Sequence, residues 1–401
     1  MDIAKGLILS FEEAFSKVIG SVKKLPKDRV NLVDALDCVL AGDIKAGFDI
    51  PPFDKSAMDG YALRSEDLTF KEELLCIGEL QAGSSQKFVV NKGECVRIMT
   101  GSPLPLGADA VVMKEDTEEE GERIRVLKVP RPYENVCRKG EDVKKGDVVL
   151  SRGSLLKPPE ISLAASLGCS HIKVYQRPKV SILATGDEIT EPGEDIGFGK
   201  IFNSNSYLLS CLLSSMRIPY TYLGIAKDNE EELRRKIGEG LESDLFILSG
   251  GVSVGDYDLV PKVLDGYGVE KIFHGISIKP GKPIFFGKTE RCFVFGLPGN
   301  PVSVFVGFLL FIKPALDTMM AKVPSLNIQK GRLTEDYHQK PGRKQFFPIK
   351  AIFDERWLIG PVKGYHGSGD LASLRSANGF MIVEAERADL PKDTEVEFIL
   401  W

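Results

Sequence analysis

The stretch Leu245–Pro301 limits most tightly what this chain can fold into. An apolar run, Leu245 to Leu248, ends in Ser249-Gly250-Gly251-Val252-Ser253-Val254-Gly255, and a helix can begin near Tyr257. A short apolar run, a glycine turn and a helix in that order form one repeat of a parallel α/β sheet. Glycines in such a turn let backbone N–H groups approach a ligand closely and point at it together. A helix N-terminus close behind adds partial positive charge, so the turn is an anion site in outline. Lys279 and Lys282, held by Pro280, Gly281 and Pro283, can bring full positive charges to the same anion. Asp256 and Asp258 sit in the same loop. Carboxylates beside a phosphate make sense when a divalent cation bridges them, which points to metal-assisted chemistry on a phosphorylated ligand.

The same strand–loop–helix alternation runs from about Pro178 onward. Val180–Ala184, Tyr220–Ala226, Leu245–Leu248 and Phe293–Phe295 read as strands, with helices starting after Asn203 or Ser204 and after Asn229. Glu230/Arg234, Glu231/Arg235 and Glu232/Lys236 are i,i+4 pairs with the glutamate first, a pattern of a solvated helix face. Loops that follow the strands of an open parallel sheet lie along one edge, where ligands bind. Glu188, Asp228, Asp256 and Asp258 therefore converge from three loops onto the glycine turn. Taken singly, Asp228 serves equally well as a cap for the helix that follows.

Cys292–Ile312 resembles a membrane span in composition. Gly296-Leu297-Pro298-Gly299-Asn300-Pro301 divides it into a strand of about five residues and a helix of about a dozen, too short to cross ~30 Å of hydrocarbon. It is expected to be core.

Before residue 178 the pattern differs. Ser10 heads an amphipathic helix, and a second helical turn is expected near Val33–Leu40. Phe48–Ala62 contains Pro51-Pro52, so it is a loop rather than regular structure. Asp59, just before Gly60, suits either a ligand contact or an ordinary turn. Residues 60–150 look β-rich, with runs at Cys95–Thr100, Ala110–Lys114, Arg123–Val129 and Asp147–Ser151. Thr100-Gly101 at a strand end is a second candidate contact. Glu118–Glu122 is the solvated tip of a hairpin. Leu155–Leu167 is a helix with prolines at its start. Beyond residue 326 short β runs return, among them Gln345–Phe353, Phe380–Val383 and Glu395–Leu400, and a small barrel or sandwich is expected. Arg343-Lys344 and Gly367-Ser368-Gly369-Asp370 mark turns.

At 401 residues the chain has room for two to four domains. A net charge of −5 gives no reason to expect a nucleic-acid partner. The seven cysteines are scattered with no CxxC pair, which suits reduced thiols in the cytoplasm. The N-terminus lacks the basic-then-apolar pattern of a signal peptide, so neither export nor a membrane partner is expected.

On these motifs the chain resembles the MoeA family, represented also by the gephyrin E domain. The carriers are PPFDKSAMDGYA (51–62), RIMTGSPLPLGADAVV (97–112), RKGEDVKKGDVVL (138–150), ATGDEI (184–189), SGGVSVGDYD (249–258), IKPGKP (278–283), GLPGNPVS (296–303), PGRKQFF (341–347) and GSGDLASLRSANGF (367–380). Together they cover essentially the whole chain. The resemblance implies a multidomain α/β plus β architecture. A central three-layer α/β domain with a mostly parallel sheet, the molybdopterin-binding fold, would span 178–325. A β-rich inserted domain would span 46–145, and a barrel-like domain 326–401. Residues 1–45 with 146–177 would form an elongated linker and dimerisation domain.

The activity implied is insertion of molybdate into adenylylated molybdopterin with release of AMP, assisted by Mg²⁺ or another divalent cation. The implied partners are these substrates, a second copy in a homodimer, and the molybdopterin adenylyltransferase. Asp59, Thr100, Asp142, Glu188 and Asp228 match catalytic positions, as does Asp258, with Asp256 as its alternative. Glu188, Asp228 and Asp256 would hold the metal. Ser249, Gly250, Gly251, Ser253, Gly255, Lys279, Lys282, Pro298, Pro301, Arg343 and Ser368 would bind substrate. Some relatives carry a lysine where this chain has Gly275, beside His274. A molybdopterin-binding scaffold without turnover is the alternative reading, and the carboxylates speak against it, since bare anion binding gains nothing from negative neighbours. A generic nucleotide module ranks lower, because GxxxxGK[ST] and GxGxxG are both missing from the sequence.

Overall fold

A computed structural model describes residues 8–68, 73–252 and 259–401. The chain divides into two compact units: Val30–Leu36 with Leu40–Ile172 form one, and the rest of the described chain forms the other.

The larger unit is built on a six-stranded sheet in the order Tyr220–Ala226, Val180–Thr185, Leu245–Ser249, Phe293–Leu297, Phe285–Lys288, Glu270–His274. The first four strands are parallel, and the last two join antiparallel. Alternation along the strands divides the core in two. Val180, Ile182, Leu245 and Ile247 pack with the helices Phe11–Ser21, Asn205–Ser215 and Pro301–Met319. Leu183, Phe246 and Leu248 pack with Glu230–Gly240 and Leu259–Gly266 on the other face. Both faces are covered, so Leu245–Ser249 is buried throughout and its sequence is an unbroken apolar run up to the terminal serine.

Local signals explain the helix starts. Ser10 and Glu13 close a capping box, Ser10 N–H donating to Glu13 Oε2 at 2.8 Å and Glu13 N–H to Ser10 Oγ at 3.2 Å. Asn229 Oδ1 accepts from the N–H groups of Glu231 and Glu232. Ser204 precedes its helix, yet the capping bond comes from Asn203 Oδ1, which accepts from Ser206 N–H at 3.1 Å.

Two expectations need correction. The helix after Pro301 runs to Met319, 19 residues with mean hydropathy 1.6, long and apolar enough by length and composition to cross a membrane, with 83% of that stretch buried inside the protein. Pro314 does not end it: a π-helical turn at Phe308–Ile312 lies just before the proline, and the helix continues through Lys313–Met319. The 230–240 helix forms two of its three expected pairs, Glu230–Arg234 at 3.6 Å and Glu232–Lys236 at 3.9 Å, yet it is not simply a solvated face. Arg235 turns forward to Glu239 at 2.7 Å instead of back to Glu231. Lys236 is mostly buried, and its Nζ donates to the carbonyls of Leu223 at 3.0 Å and Ile225 at 2.7 Å. The register between Val180–Thr185 and Tyr220–Ala226 slips there, around Gly224 at φ +81°, so the lysine satisfies carbonyls that the bulge leaves unpaired.

The C-terminal β runs close into a barrel. Gln329–Leu333, Lys344–Asp354, Arg356–Pro361, Gly379–Val383 and Glu395–Leu400 form a ring because Lys344–Asp354 pairs on both sides. Ile278–Lys279 adds to this sheet in parallel, with Lys279 opposite Gln345. That pairing sets Lys279 beside the Arg343 turn.

The smaller unit carries a second six-stranded sheet, ordered Ala110–Met113, Gly60–Leu63, Glu94–Ile98, Glu73–Leu80, Arg123–Val126, Thr117–Glu120. Glu118–Glu120 lie on an exposed hairpin as expected, turned at Gly121 with φ +65°. Phe48–Ala62 is held by the 136–145 segment: Lys55–Ser56 pairs with Val136–Cys137, and Ile50 bridges to Val143.

Removing the buried ammonium should be costly where removing its helix neighbours is not. Lys236→Met is expected to lose about 1–3 kcal/mol, since it leaves two partly buried carbonyls unpaired. Glu231→Ala should stay within about 0.5 kcal/mol, as surface changes usually do. Urea denaturation midpoints of the three proteins check this, and equal midpoints would remove the role given to Lys236.

Candidate functional site

The strands of the larger unit end level with one another, so their following loops share an edge. Thr185 lies opposite Ala226, Ala184 opposite Ser249, and Ser249 opposite Leu297. After Thr185 the chain turns at Gly186, whose φ of +138° few side chains tolerate. The Glu188 carboxylate folds back over it, with Oε2 2.6 Å from where a Cβ would stand. Asp187 Oδ1 accepts from Asp228 N–H at 3.2 Å and ties this loop to the next. Asp228 is exposed. It does not cap the following helix, since Asn229 does.

A cleft of about 370 Å³ opens beside these loops, lined by Thr185, Glu188, Asn203, Asn205, Ser249, Gly250, Asn300 and Pro301 among others. Asn205 stitches its floor: Nδ2 donates to Ser249 Oγ at 2.9 Å and to the Gly299 carbonyl at 2.7 Å. The two glycines have a structural reason first. Gly250 has φ +94° and Gly251 φ +62°. A Cβ on Gly250 would meet Thr185 O at 2.4 Å, and one on Gly251 would meet Thr185 Oγ1 at 2.6 Å. Gly250 N–H is spent on Leu297 O at 3.0 Å, so it is not free for an anion as the sequence suggested. The glycines permit close packing of two loops. Ser253, Gly255, Asp256 and Asp258 lie outside the described residues, as does the expected helix start at Tyr257.

A second cavity of about 250 Å³ is lined by Lys279, Lys282, Pro298, Asn300, Ser303, Arg343, Tyr365 and Ser368 among others. It gathers three cationic residues, and among the described residues no carboxylate is part of its lining. Arg343 Nη1 donates to Ile278 O at 3.2 Å, which anchors the guanidinium beside the Lys279 strand. Asn300 Nδ2 donates to Ser368 Oγ at 2.8 Å, and Val302 N–H to Ser368 O at 3.0 Å. These bonds join the 298–302 turn to the barrel loop. Burial, and then Asp370, push the Tyr365 phenol up to about 12, so it presents an O–H at neutral pH. Fixed hydroxyls, lysines and an arginine suit a tetrahedral oxyanion. Asn300 lines both cavities.

In the smaller unit, Asp59 Oδ1 accepts from both the N–H and the Oγ1–H of Thr100, each at 2.7 Å. These two bonds, the backbone one first, hold the Asp59 carboxyl below the ordinary aspartate range. Asp59 is thus no simple turn aspartate, because its partner comes from a separate loop. Gly101 N–H donates to Ser56 O and Lys139 N–H to Asp54 Oδ1. Asp142 N–H donates to Ile50 O, so Asp142 sits on the loop that braces the Asp59 segment.

Sequence reasoning passed over Thr185, Asn205, Asn300, Ser303 and Tyr365. Thr185 stands inside the quoted ATGDEI run, Asn300 and Ser303 inside GLPGNPVS, and Asn205 just past a helix cap, so position alone offered a signal for these four.

A three-layer α/β domain with its cleft at the carboxyl edge and a cationic cavity alongside agrees with the matched family models. Residues 181–318 match a probable molybdopterin binding domain, which sets the class. Residues 9–168 match the MoeA N-terminal region (domain I and II), and 330–401 the MoeA C-terminal region (domain IV). The molybdopterin molybdenumtransferase of Haemophilus influenzae is 36% identical over 402 residues, covering 96% of each chain. That of Staphylococcus epidermidis is 31% identical over 407 residues, covering 100% of this chain and 97% of the relative. A crystal structure described as a molybdopterin biosynthesis moea protein from Pyrococcus horikosii superposes with a TM-score of 0.82 at 32% identity, over 98% of this chain and 99% of the other. The chain belongs to the MoeA family of molybdopterin molybdenumtransferases, transferases of molybdenum cofactor biosynthesis.

Thr100→Val removes the hydroxyl donor and keeps the backbone one. The Asp59 titration, followed by carboxyl NMR, should move up towards the ordinary aspartate value without reaching it. The sign follows from the depressed folded pKa: what Thr100 contributes is present above the unfolded pKa and is lost as pH falls through the folded one. An unmoved titration would separate Asp59 from Thr100.

Proposed function

We propose that this chain inserts molybdate into adenylylated molybdopterin and releases AMP. The observation that carries the reading is the adjoining pair of cavities, one cationic and one holding a carboxylate, with Asn300 in the wall of both. Lys279, Lys282 and Arg343 supply positive charge for a tetrahedral dianion, while the hydroxyls of Ser303, Ser368 and Tyr365 supply neutral donors. Pro298 and Pro301 stiffen the turn that separates the two ligands. Ser249 and Gly250, fixed by Asn205 and Leu297, form the floor on which the phosphorylated substrate rests.

Glu188 and Asp228 offer hard carboxylate oxygens from two loops tied through Asp187. Among the described residues no group of three His, Cys, Asp or Glu could hold a metal ion unaided. The fit is therefore to an ion that phosphate oxygens and water help to coordinate, as Mg²⁺ commonly is. Asp256 is the further ligand proposed, outside the described residues. When bound, such an ion neutralises charge that builds up as the phosphoanhydride breaks. The Asp59 carboxylate, kept ionised by Thr100, and Asp142 complete the catalytic set. We place them in a homodimer that lends them to the partner's cleft, with the adenylyltransferase that makes the substrate as a further partner.

The purified protein is tested with adenylylated molybdopterin, Mg²⁺ and molybdate, with AMP and cofactor assayed together. Asp59→Asn and Glu188→Gln should fold normally and lower AMP release by about a hundredfold or more, as loss of transition-state stabilisation does. Lys279→Ala should act mainly by raising the molybdate concentration required, because its charge serves the ground state too. Mixing the Asp59 and Glu188 variants under subunit exchange should restore about a quarter of wild-type turnover, since random pairing leaves one intact shared site in half of the dimers. Wild-type turnover in both single variants would refute the roles, and mixing without recovery would refute the shared site.

A further inference from the structure

Two buried polar atoms of the α/β cleft, Thr185 Oγ1 and Asn205 Oδ1, have no hydrogen-bond partner among the described residues. Both residues line the cleft, and Thr185 is only 2% exposed. The orientation of Asn205 is fixed by chemistry. Gly299 O can only accept, so the amide NH₂ must face it, and Oδ1 must face away. Folded chains rarely keep a buried acceptor unpaired, because it has given up water for nothing. Two such atoms in one cleft mark where a ligand brings the missing partner.

We propose that Asn205 Oδ1 and Thr185 Oγ1 recognise the exocyclic amino group of a fused pyrimidine ring in the substrate. Asn205 Oδ1 accepts from the amino N–H. The Thr185 hydroxyl, which can donate or accept, pairs with the adjoining ring atom. The assignment rests on the functional reading above, whose substrate carries two such rings, a pterin and an adenine. An oxo group in place of the amino group would set two acceptors face to face, so the cleft discriminates by rejection as well as attraction.

Four probes distinguish the sources: 6-carboxypterin against 6-carboxylumazine, and AMP against inosine monophosphate, each measured by calorimetry on the full chain. In one pair the amino member should bind at least about tenfold more tightly, as sites built around a ligand N–H reject analogues lacking it. That pair names the ring. Thr185→Val, nearly the same in shape, should shrink the preference while raising the melting temperature of the free protein, because it removes an unpaired hydroxyl. Asn205→Ala should abolish the preference. Equal binding within both pairs, or a preference unmoved by both variants, overturns the assignment. If none of the four binds while AMP release proceeds, the assignment fails and the functional reading stands. An amino preference without AMP release sinks the reading of turnover and leaves the cleft assignment in place.

Discussion

The common register of the central parallel strands is the constraint on which everything else rests. Because Ala184, Ser249 and Leu297 lie side by side, the loops that follow their strands begin at one level and must share the same edge. Sharing an edge crowds them. Thr185 and the Gly250-Gly251 turn approach until no Cβ fits between them, and that crowding shapes the cleft floor. Register itself is enforced by burial on both faces. Slipping Leu245–Ser249 by one residue would exchange Leu245 and Ile247, which face one helix layer, with Phe246 and Leu248, which face the other. The stability of the sheet and the geometry of the site are therefore one arrangement.

Charge is distributed with equal economy. The cationic cavity draws Lys279 and Lys282 from the α/β domain and Arg343 from the barrel turn, united because Ile278–Lys279 continues the barrel sheet. Glu188 belongs to the neighbouring cleft instead. Keeping the carboxylate on the far side of Asn300 avoids neutralising the lysines by direct pairing, which would leave little positive potential for an incoming dianion. Asp187 serves the scaffold, since its carboxylate holds the Asp228 backbone and so aligns the two acidic loops.

Much of this was legible in the sequence, for reasons that differ by element. Val180–Thr185 and Leu245–Ser249 were found because burial on two faces writes an apolar run, and outside that class Tyr220–Ala226 and Glu395–Leu400 also match their expected bounds. The strands Glu270–His274 and Phe285–Lys288 were passed over, because the pattern of a parallel sheet carries no mark of strands added at one end through antiparallel pairing. Lys236 was legible only in part: its spacing from Glu232 gives an ion pair that does form, at 3.9 Å, but the two carbonyls that hold its buried ammonium come from a bulge in a strand distant in sequence. Asp59 and Thr100 were each noticed, but their bond spans 41 positions, and no local pattern could join them. Asn205 and Asn300 escaped for a related reason: a side-chain amide is ordinary in a loop, and its bonds become visible only when three loops meet.

Those amides also explain how loops without regular structure hold a site at ångström precision. Asn205 binds the ends of two adjacent strands, and Asn300 binds the next turn to the barrel. Each is a short, planar side chain with little rotamer freedom to lose, so fixing it costs less than fixing a lysine or glutamate in the same place. An amide that donates both protons to protein acceptors is left with an oxygen whose direction is determined by those bonds. The scaffold bonds of Asn205 therefore aim its remaining acceptor. On the assignment proposed above, the same side chain that closes the floor of the cleft also sets what the floor recognises.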